Sequence, residues 1–254
     1  LNGDMTPPYM GHTCPAEAAA HAGYCGFGYG AKADLLPGLP HFSETEFSGE
    51  FPVVAMQFKD PRFPGEITLR AFNPFIPLNS FDSSLPGALF EFTVRNNSRK
   101  TITYTLAGSL SATPGKFRSR WNQDQLTMKS EEPPESVRYG ELSLAATGGD
   151  SISGQASWYP GTWRDDLNMF WNDFCRPGSF KNRSFDSPGE RETGTVAPRF
   201  EVAPGESRTV VFALAWFFPN RANDWNPGEY AGVTWRNWYA TQFPGAEDVA
   251  AYLL

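Results

Sequence analysis

The segment from Glu66 to Asn96 constrains the fold of this chain more than any other, because two strand patterns flank a long connection. At both ends of the segment apolar residues alternate with polar ones, which is the period of strands that are buried on one side. The connection, residues 73–86, is rich in Pro, Asn, Asp and Ser and also carries large apolar residues. It is too long for a tight hairpin and too apolar for a floppy loop. We therefore predict an ordered segment that lies across a sheet or against a partner.

Gly and Pro punctuate the rest of the chain and indicate many turns, with 24 Gly and 22 Pro among 254 residues. Hydrophobic residues make up 40% of the chain and charged residues 19%, which is enough apolar side chain to bury a core. Frequent turns favour a β-sandwich or a barrel over a helical bundle. The formal net charge of -7 argues against a non-specific nucleic-acid binder, which needs a basic face for phosphates.

Further strands are predicted from alternation or from short apolar runs, at residues 51–58, 101–110, 138–146, 151–159 and 208–218. The first is predicted to be central. The last is predicted to be buried on both sides, because both of its faces are apolar. Asn96–Arg99 has the composition of a hairpin turn that joins two strands. Residues 111–135 are predicted to form a polar excursion that exposes Trp121.

Two segments break the strand pattern and indicate helices. Apolar residues recur at helical spacing between Thr162 and Phe174, and Thr162 with Asp165 resembles a capping box. The tail from Thr234 to Leu254 also turns helical and ends without a cap, so we expect the chain to continue in the full gene product. The predicted fold is mainly β: an antiparallel β-sandwich with one or two short helices and a C-terminal linker helix. We assign residues 1–38 to an irregular N-terminal segment, 39–233 to the sandwich and 234–254 to the start of the linker.

The cysteines and histidines define no clear metal site or disulfide framework. Three cysteines cannot all be paired within one chain. His12, Cys14, His21 and Cys25 could supply four zinc ligands, but their spacing matches no common zinc module. A Cys14–Cys25 disulfide and free thiols, Cys175 among them, are the other interpretations, and no metal or cofactor is predicted. No apolar run is long enough to span a membrane, and no leader peptide opens the chain. The first residue is Leu1 and not Met, which is compatible with processing or trimming, so cytoplasmic and exported origins both stay open.

Catalytic motifs are poorly supported. All three histidines lie within the first 41 residues and no GxSxG elbow is present, which argues against a Ser–His–Asp site. Glycoside hydrolysis needs two carboxyl groups that flank the sugar. The carboxylates near Trp residues are Asp165, Asp166, Asp173, Glu190 and Glu192. The sequence supplies no distances between them, and Asp165 and Asp166 belong to the first turn of the predicted helix, where they stabilise its dipole.

The content of aromatic residues has two interpretations. Aromatic residues make up 15% of the chain and include eight Trp. Most of these rings are expected to pack in the core and in turns. The alternative is a sugar-binding surface, because the apolar C–H face of a pyranose stacks on an aromatic ring.

A resemblance to a known family emerges from the opening segment. The stretch AFNPFIPLNSFDSSLPGALFEFTVRN, preceded by EFSGEFPVVAMQFKDPRFP, resembles the N-terminal β-sandwich domain of glycoside hydrolase family 116. Later stretches are similar in order and spacing: FWNDFCRPGSF, PGESRTVVFALAWFFPN and WYATQFPGAEDVAAYL. The resemblance covers residues 39–254. The family includes bacterial β-glucosidases and the non-lysosomal glucosylceramidases, which are also called bile acid β-glucosidases.

The resemblance implies a domain without catalytic residues of its own, because the family's nucleophile and acid/base carboxylates lie in a C-terminal (α/α)6 barrel. The chain alone is expected to be inactive, and the full enzyme to hydrolyse β-glucosides. The expected partner is that barrel in the same polypeptide, docked on the connection 73–86, the helix 163–174 and the tail 234–254. The candidate carbohydrate or interface residues are Trp158, Trp163, Asp165, Trp171, Asp82 and Ser83.

Two other functions are compatible with the sequence. A stand-alone carbohydrate-binding module would hold sugar through exposed rings, with Trp158, Trp163 and Trp121 as the candidates. A structural sandwich would instead dimerise through exposed apolar surface.

Overall fold

A computed structural model describes residues 39–112, 116–161, 165–176, 178–185, 192–224 and 228–254. Strands account for 46% of the structure, and all the pairings between the strands described are antiparallel. The predicted mainly β fold is therefore confirmed. The zinc candidates near the N-terminus, the capping residue Thr162 and the candidate site residue Trp163 lie outside the described residues.

The strands, numbered in chain order, are β1 (Glu44–Glu50), β2 (Val53–Lys59), β3 (Gly65–Phe72), β4 (Gly87–Asn96), β5 (Ile102–Thr105), β6 (Gly108–Ala112), β7 (Phe117–Asn122), β8 (Gln125–Ser130), β9 (Glu141–Thr147), β10 (Ser151–Gln155), β11 (Glu192–Val202), β12 (Ser207–Phe217), β13 (Asn220–Ala222) and β14 (Thr234–Arg236). The helices are α1 (Ser80–Ser83), α2 (Asp165–Phe174), a 3₁₀ turn (Trp238–Thr241) and α3 (Ala246–Leu253).

The strands form two principal sheets. The large sheet has the order β1-β2-β3-β4-β12-β9-β8-β7, and the small sheet has the order β10-β11-β5, with β6 also paired to β11. The core lies between them, where Val94, Leu126 and Phe212 of the large sheet meet Tyr104 and Phe200 of the small sheet. Two sheets that bury their inner faces against each other make a sandwich, as the sequence predicts.

Strand β12 is buried on both faces, as its sequence predicts. Val210 and Phe212 point into the core between the sheets. On the opposite face Ala215 packs against Val249 and Ala250 of α3, whose side chains are fully buried. A strand that is covered on both sides must be apolar on both sides, since each exposed methylene group would cost about 0.8 kcal/mol of burial.

The hairpin predicted at Asn96–Arg99 is wrong. Strand β4 belongs to the large sheet and β5 to the small one, so this segment crosses between the layers. Asn96 is fully buried, and its Nδ2 donates to the backbone oxygens of Lys100 (2.7 Å) and Val202 (2.8 Å). The asparagine joins the two sheets at the crossing, so its N-x-S sequence is not accessible to glycosylation.

Two further predictions are corrected by the strand order. The polar excursion at 111–135 contains the paired strands β7 and β8, and Trp121 is half-buried against the core instead of exposed. The strand at 51–58 is not central: β2 lies one strand from the edge of the large sheet, and none of its side chains is buried. The predicted strand at 101–110 is split into β5 and β6, which pair with different parts of β11.

Candidate docking surface

The connection 73–86 and the C-terminal tail lie against each other on the structure. Phe81 of α1 joins them, because its ring contacts Trp238 at 5.4 Å, Tyr252 at 5.9 Å and Phe243 at 6.1 Å between ring centroids. The contacts with Trp238 and Tyr252 are edge-to-face, a geometry that stabilises aromatic clusters beyond the area that they bury. Two of the three segments predicted as docking surfaces are therefore in contact, and the hydrogen bond between Asp82 and Tyr252 joins residues that are 170 positions apart in sequence.

Local hydrogen bonds explain why residues 76–83 fold as they do. Asn79 is the N-cap of α1: its side-chain oxygen accepts from the backbone N–H of Asp82 at 3.1 Å. The hydroxyl of Ser83 accepts from the N–H of Ile76 at 2.9 Å and donates to the carbonyl oxygen of Ile76 at 3.0 Å. Ser83 therefore closes the loop on itself, and Asn79 starts the helical turn.

Asp82 links α1 to the last helix. One carboxylate oxygen accepts from the hydroxyl of Tyr252 at 2.9 Å, and the other accepts from the Asn79 amide at 2.5 Å. The hydrogen bond to Asp82 raises the pKa of Tyr252. The two candidate residues in the connection, Asp82 and Ser83, thus support its conformation and its contact with α3.

Many exposed apolar side chains lie in the two segments that form this cluster or close to those segments in the sequence. Among the described residues, the large hydrophobic side chains that are exposed fall within 51–78 and 218–254, except Phe47, Val137 and Tyr159. Those in the two segments are Phe51, Phe75, Ile76, Leu78, Phe218, Tyr230, Val233, Trp235, Trp238, Tyr252 and Leu254. We call this set the apolar surface. Concentrated exposed apolar side chains are typical of interaction sites and uncommon on monomers.

Helix α3 is fixed to the sandwich beneath the apolar surface. Its N-cap is Gly245, which has no side chain to cap the helix, and the carboxylate of Glu141 on β9 accepts from the N–H of Ala246 at 3.2 Å instead. A Cβ at Gly245 would lie 2.6 Å from that carboxylate, so a side chain there would displace the group that caps the helix. Arg120 pairs with Glu247 at 2.6 Å. The last helix is therefore a firmly held part of the domain.

The third predicted docking segment lies in the opposite layer. Helix α2 and residues 178–185 cover the outer face of the small sheet, where Asp173 accepts from Gln155 at 2.7 Å and pairs with Arg183 at 2.8 Å. The guanidinium of Arg183 lowers the pKa of Asp173. Asp173 is therefore ionised at neutral pH and suits a structural ion pair better than a general acid.

Trp158, Asp165 and Trp171 belong to this α2 layer. The indole of Trp158 stacks on Phe170 with 4.3 Å between ring centroids, and its Nε1 donates to Thr195 at 2.8 Å. Asp165 is exposed in the first turn of α2. The Nε1 of Trp171 is buried without a hydrogen-bond partner. Their assignment to a carbohydrate or interface site stays a prediction, and the structure does not bring them together with Asp82 and Ser83.

An open cleft of about 450 Å³ lies at the β1–β3 edge of the large sheet and is lined by polar residues, including Glu44, Lys59, Asp60 and Glu66. Asp60 accepts from the backbone and the guanidinium of Arg62 at 2.8–3.0 Å. These bonds lower the pKa of Asp60 to about 2. Asp60 therefore holds the β2–β3 turn.

The described residues contain no group of three or more His, Cys, Asp or Glu side chains placed to hold a metal ion. Burial raises the pKa of the Cys175 thiol, which makes it a weak nucleophile. No helix within the described part of the chain is long and apolar enough to cross a membrane.

The sequence analysis named Asp82 and Ser83 as candidate residues and did not name Leu78, Phe81 or Tyr252. The dipeptide Pro77-Leu78 carries a signal that could have been used, because it places a leucine where such a turn favours glycine. The sequence around Phe81 and Tyr252 gives no sign of their role, because that role depends on a contact with a residue far away in the sequence.

Comparisons with known proteins complete the description. The family described as "beta-glucosidase 2, glycosyl-hydrolase family 116 N-term" matches residues 16–254. No curated protein matches the sequence. Two solved structures, both of a heparinase III (BT4657 gene product) and one with methylated lysines, are similar at 9% and 8% identity. The matches cover 70% and 77% of this chain and 23% and 27% of theirs, each with a TM-score of 0.37.

The chain spans about a quarter of the length of those two structures, and their TM-score is too low to support an argument. The family match is different, because it covers nearly the whole chain. This chain belongs to the family of N-terminal domains of glycosyl-hydrolase family 116.

Proposed function

We propose that the chain is the non-catalytic part of a β-glucosidase or glucosylceramidase and that it packs on a catalytic (α/α)6 barrel through the apolar surface. In this function the sandwich supports the barrel and shapes the rim of the sugar pocket. The hydrolysis of β-glucosides belongs to the full enzyme.

The observation that carries the proposal is that the exposed rings of Trp238 and Tyr252 meet at Phe81, on the connection that also exposes Ile76 and Leu78. Stable interfaces have an apolar centre in which Trp and Tyr side chains dominate the binding energy. Trp238 and Tyr252 meet that description, since each is about half exposed and each is fixed by a ring contact with Phe81. Rings that are already positioned lose little entropy when a partner covers them.

Three carboxylates among the described residues are engaged in structural contacts, which is in keeping with a non-catalytic role. Asp173 is paired with Arg183, and Asp60 is paired with Arg62. Glu192 accepts a hydrogen bond from Ser157 within the small sheet. These groups are used in structural contacts, whereas a glycosidase needs two carboxyl groups that face one sugar.

Activity assays test the non-catalytic part of the proposal. The 254-residue chain is expected to show no turnover of an aryl β-glucoside, whereas the same chain joined to a family 116 catalytic domain is expected to be active. Turnover by the chain alone that disappears when Asp173 or Glu192 is replaced would refute this part.

Substitutions on the apolar surface test the docking part. Trp238→Ser in the two-domain protein is expected to expose the interface and to lower the temperature at which the activity is lost. Phe47→Ser is the matched control, because Phe47 is also exposed (65%) but lies on β1, outside the apolar surface. Equal effects of the two substitutions would contradict docking through this surface.

A further inference from the structure

Leu78 occupies a backbone conformation that favours glycine. Its φ is +67°, and it follows Pro77 in a turn that the N–H of Asn79 closes on the carbonyl oxygen of Ile76 at 3.0 Å. Proline at the second position and a positive φ at the third are the features of a type II turn, in which glycine or asparagine is usual at the third position. A leucine there strains the backbone, because its Cβ crowds the neighbouring carbonyl.

Nothing within the described part of the domain compensates for this strain. The Leu78 side chain is fully exposed (108%), so it gains no burial in exchange for its conformation. Glycine or asparagine at this position would make the same turn without strain and without an exposed apolar group. Strained residues that persist without an intramolecular benefit are characteristic of binding and functional sites.

The turn presents this side chain rigidly. Ser83 holds Ile76 by two hydrogen bonds, and Phe75 packs on Phe51 with 5.2 Å between ring centroids. On the other side of the turn, Asn79 caps α1. A leucine displayed on a fixed turn can enter a partner's pocket with little loss of conformational entropy.

We propose that Leu78 is the anchor of the apolar surface and that it inserts into an apolar pocket of the catalytic domain in the same polypeptide. This inference rests on the proposed function and assigns its central contact. The matched family is one of N-terminal domains, and Tyr252 near the end of α3 donates to Asp82 of α1, so a catalytic domain joined after α3 would start close to the connection. This proximity favours a domain in the same polypeptide over a second copy of the chain as the occupant.

The decisive substitution is Leu78→Asn, with Leu78→Gly as a second variant, because both fit the turn while removing the apolar side chain. In the 254-residue chain, the urea midpoint of Leu78→Asn is expected to equal or exceed that of the wild type. In the two-domain protein, the amide exchange of residues 73–86 is expected to be at least tenfold slower than in the chain alone. Leu78→Asn is expected to remove most of that protection, and Phe47→Asn to leave it unchanged.

The outcomes separate the anchor from the proposed function. If residues 73–86 and 238–252 are both unprotected in the wild-type two-domain protein, the proposed function fails. If both segments are protected and Leu78→Asn changes nothing, only the anchor fails. A lower urea midpoint for both variants in the chain alone would show that Leu78 has a structural role and would also overturn the inference. So would a dimer of the 254-residue chain that Leu78→Asn dissociates, because the occupant would then be a second copy.

Discussion

Glu141 offers the sharpest test of how the last helix is held on the sandwich. Its side chain is 3% exposed, and three donors surround its carboxylate. The hydroxyl of Tyr139 donates at 2.6 Å, the N–H of Ala246 donates at 3.2 Å, and the ammonium of Lys129 lies at 3.2 Å. The N-terminus of α3 thus takes its cap from a distant strand and not from the residue that precedes the helix.

The magnitude follows from what Glu141→Ala leaves behind. The N–H of Ala246 is buried and would lose its acceptor, at about 1–3 kcal/mol, and the loss of the Tyr139 hydrogen bond would cost about 1–2 kcal/mol. Lys129 is 53% exposed, so its ion pair contributes less than about 1 kcal/mol. We expect the free energy of unfolding to fall by about 3–4 kcal/mol. That is a large share of the roughly 5–15 kcal/mol that is usual for a domain.

Glu141→Gln is expected to cost only about 1 kcal/mol, because its amide oxygen still accepts from Ala246 while the Tyr139 hydroxyl turns to accept from its NH₂ group. Urea denaturation followed by tryptophan fluorescence measures both variants, and amide exchange of residues 246–253 reports on α3 directly. Glu135→Ala is the control, since Glu135 is exposed and its replacement should change stability by less than about 0.5 kcal/mol. A Glu141→Ala protein with the stability and the α3 exchange rates of the wild type would refute this account of the helix cap.

Three further substitutions test other contacts. Because Arg62 lowers the pKa of Asp60 to about 2, ionised Asp60 adds about 1–2 kcal/mol to the free energy of unfolding, which is fully present above about pH 4 and lost as the pH falls to about 2. Urea midpoints across this range should show that Asp60→Asn is less stable than the wild type near neutral pH and equally stable in acid. A difference that does not change with pH would contradict the pairing. Gly87→Ala places a Cβ 2.4 Å from a Leu253 methyl carbon and 2.9 Å from a β12 carbonyl oxygen. It should therefore lower the free energy of unfolding by about 1–3 kcal/mol, and Leu253→Ala should partly rescue it in a double-mutant cycle. Strictly additive effects of the two substitutions would argue against the contact. Asn96→Ala leaves the carbonyl oxygen of Val202 without this buried donor, while Lys100 keeps the Ser98 hydroxyl. It should cost about 1–3 kcal/mol in a thermal melt, whereas a neutral result would mean that the crossing does not depend on this side chain.

Strand and helix patterns were predictable wherever their cause was local. The alternation in β3, the strand β4 and the two apolar faces of β12 appear as predicted. The apolar stripe of the last helix also appears, although the helix starts at Ala246 and Thr234–Arg236 is a strand instead of the predicted helix. In each case the side chains that face the interior recur at a fixed spacing along a few consecutive residues. The Gly and Pro content similarly indicated a β-sandwich or a barrel instead of a helical bundle before any pairing was known.

Strand partners and layers were not predictable in the same way. Asn96–Arg99 has the composition of a hairpin turn, but β4 pairs with β3 and β12 while β5 pairs with β11. Trp121 looked exposed because its neighbours are polar, and it is half-buried because β7 completes the edge of the large sheet over the core. A period of two says which side chains share a face, and it carries no information about which strand lies next to it.

The sequence by itself determined that this chain is a sandwich domain of glycosyl-hydrolase family 116, because family motifs and hydrophobic periods are properties of consecutive residues. It also marked the connection 73–86 as ordered. Only the tertiary structure decided that Phe81 and Asp82 meet Tyr252, and that Leu78 is strained and uncovered at the edge of that cluster. The contact of Asp82 with Tyr252 joins residues that are 170 positions apart, and the strain at Leu78 depends on a single backbone dihedral. A local sequence pattern encodes neither the long-range contact nor the dihedral.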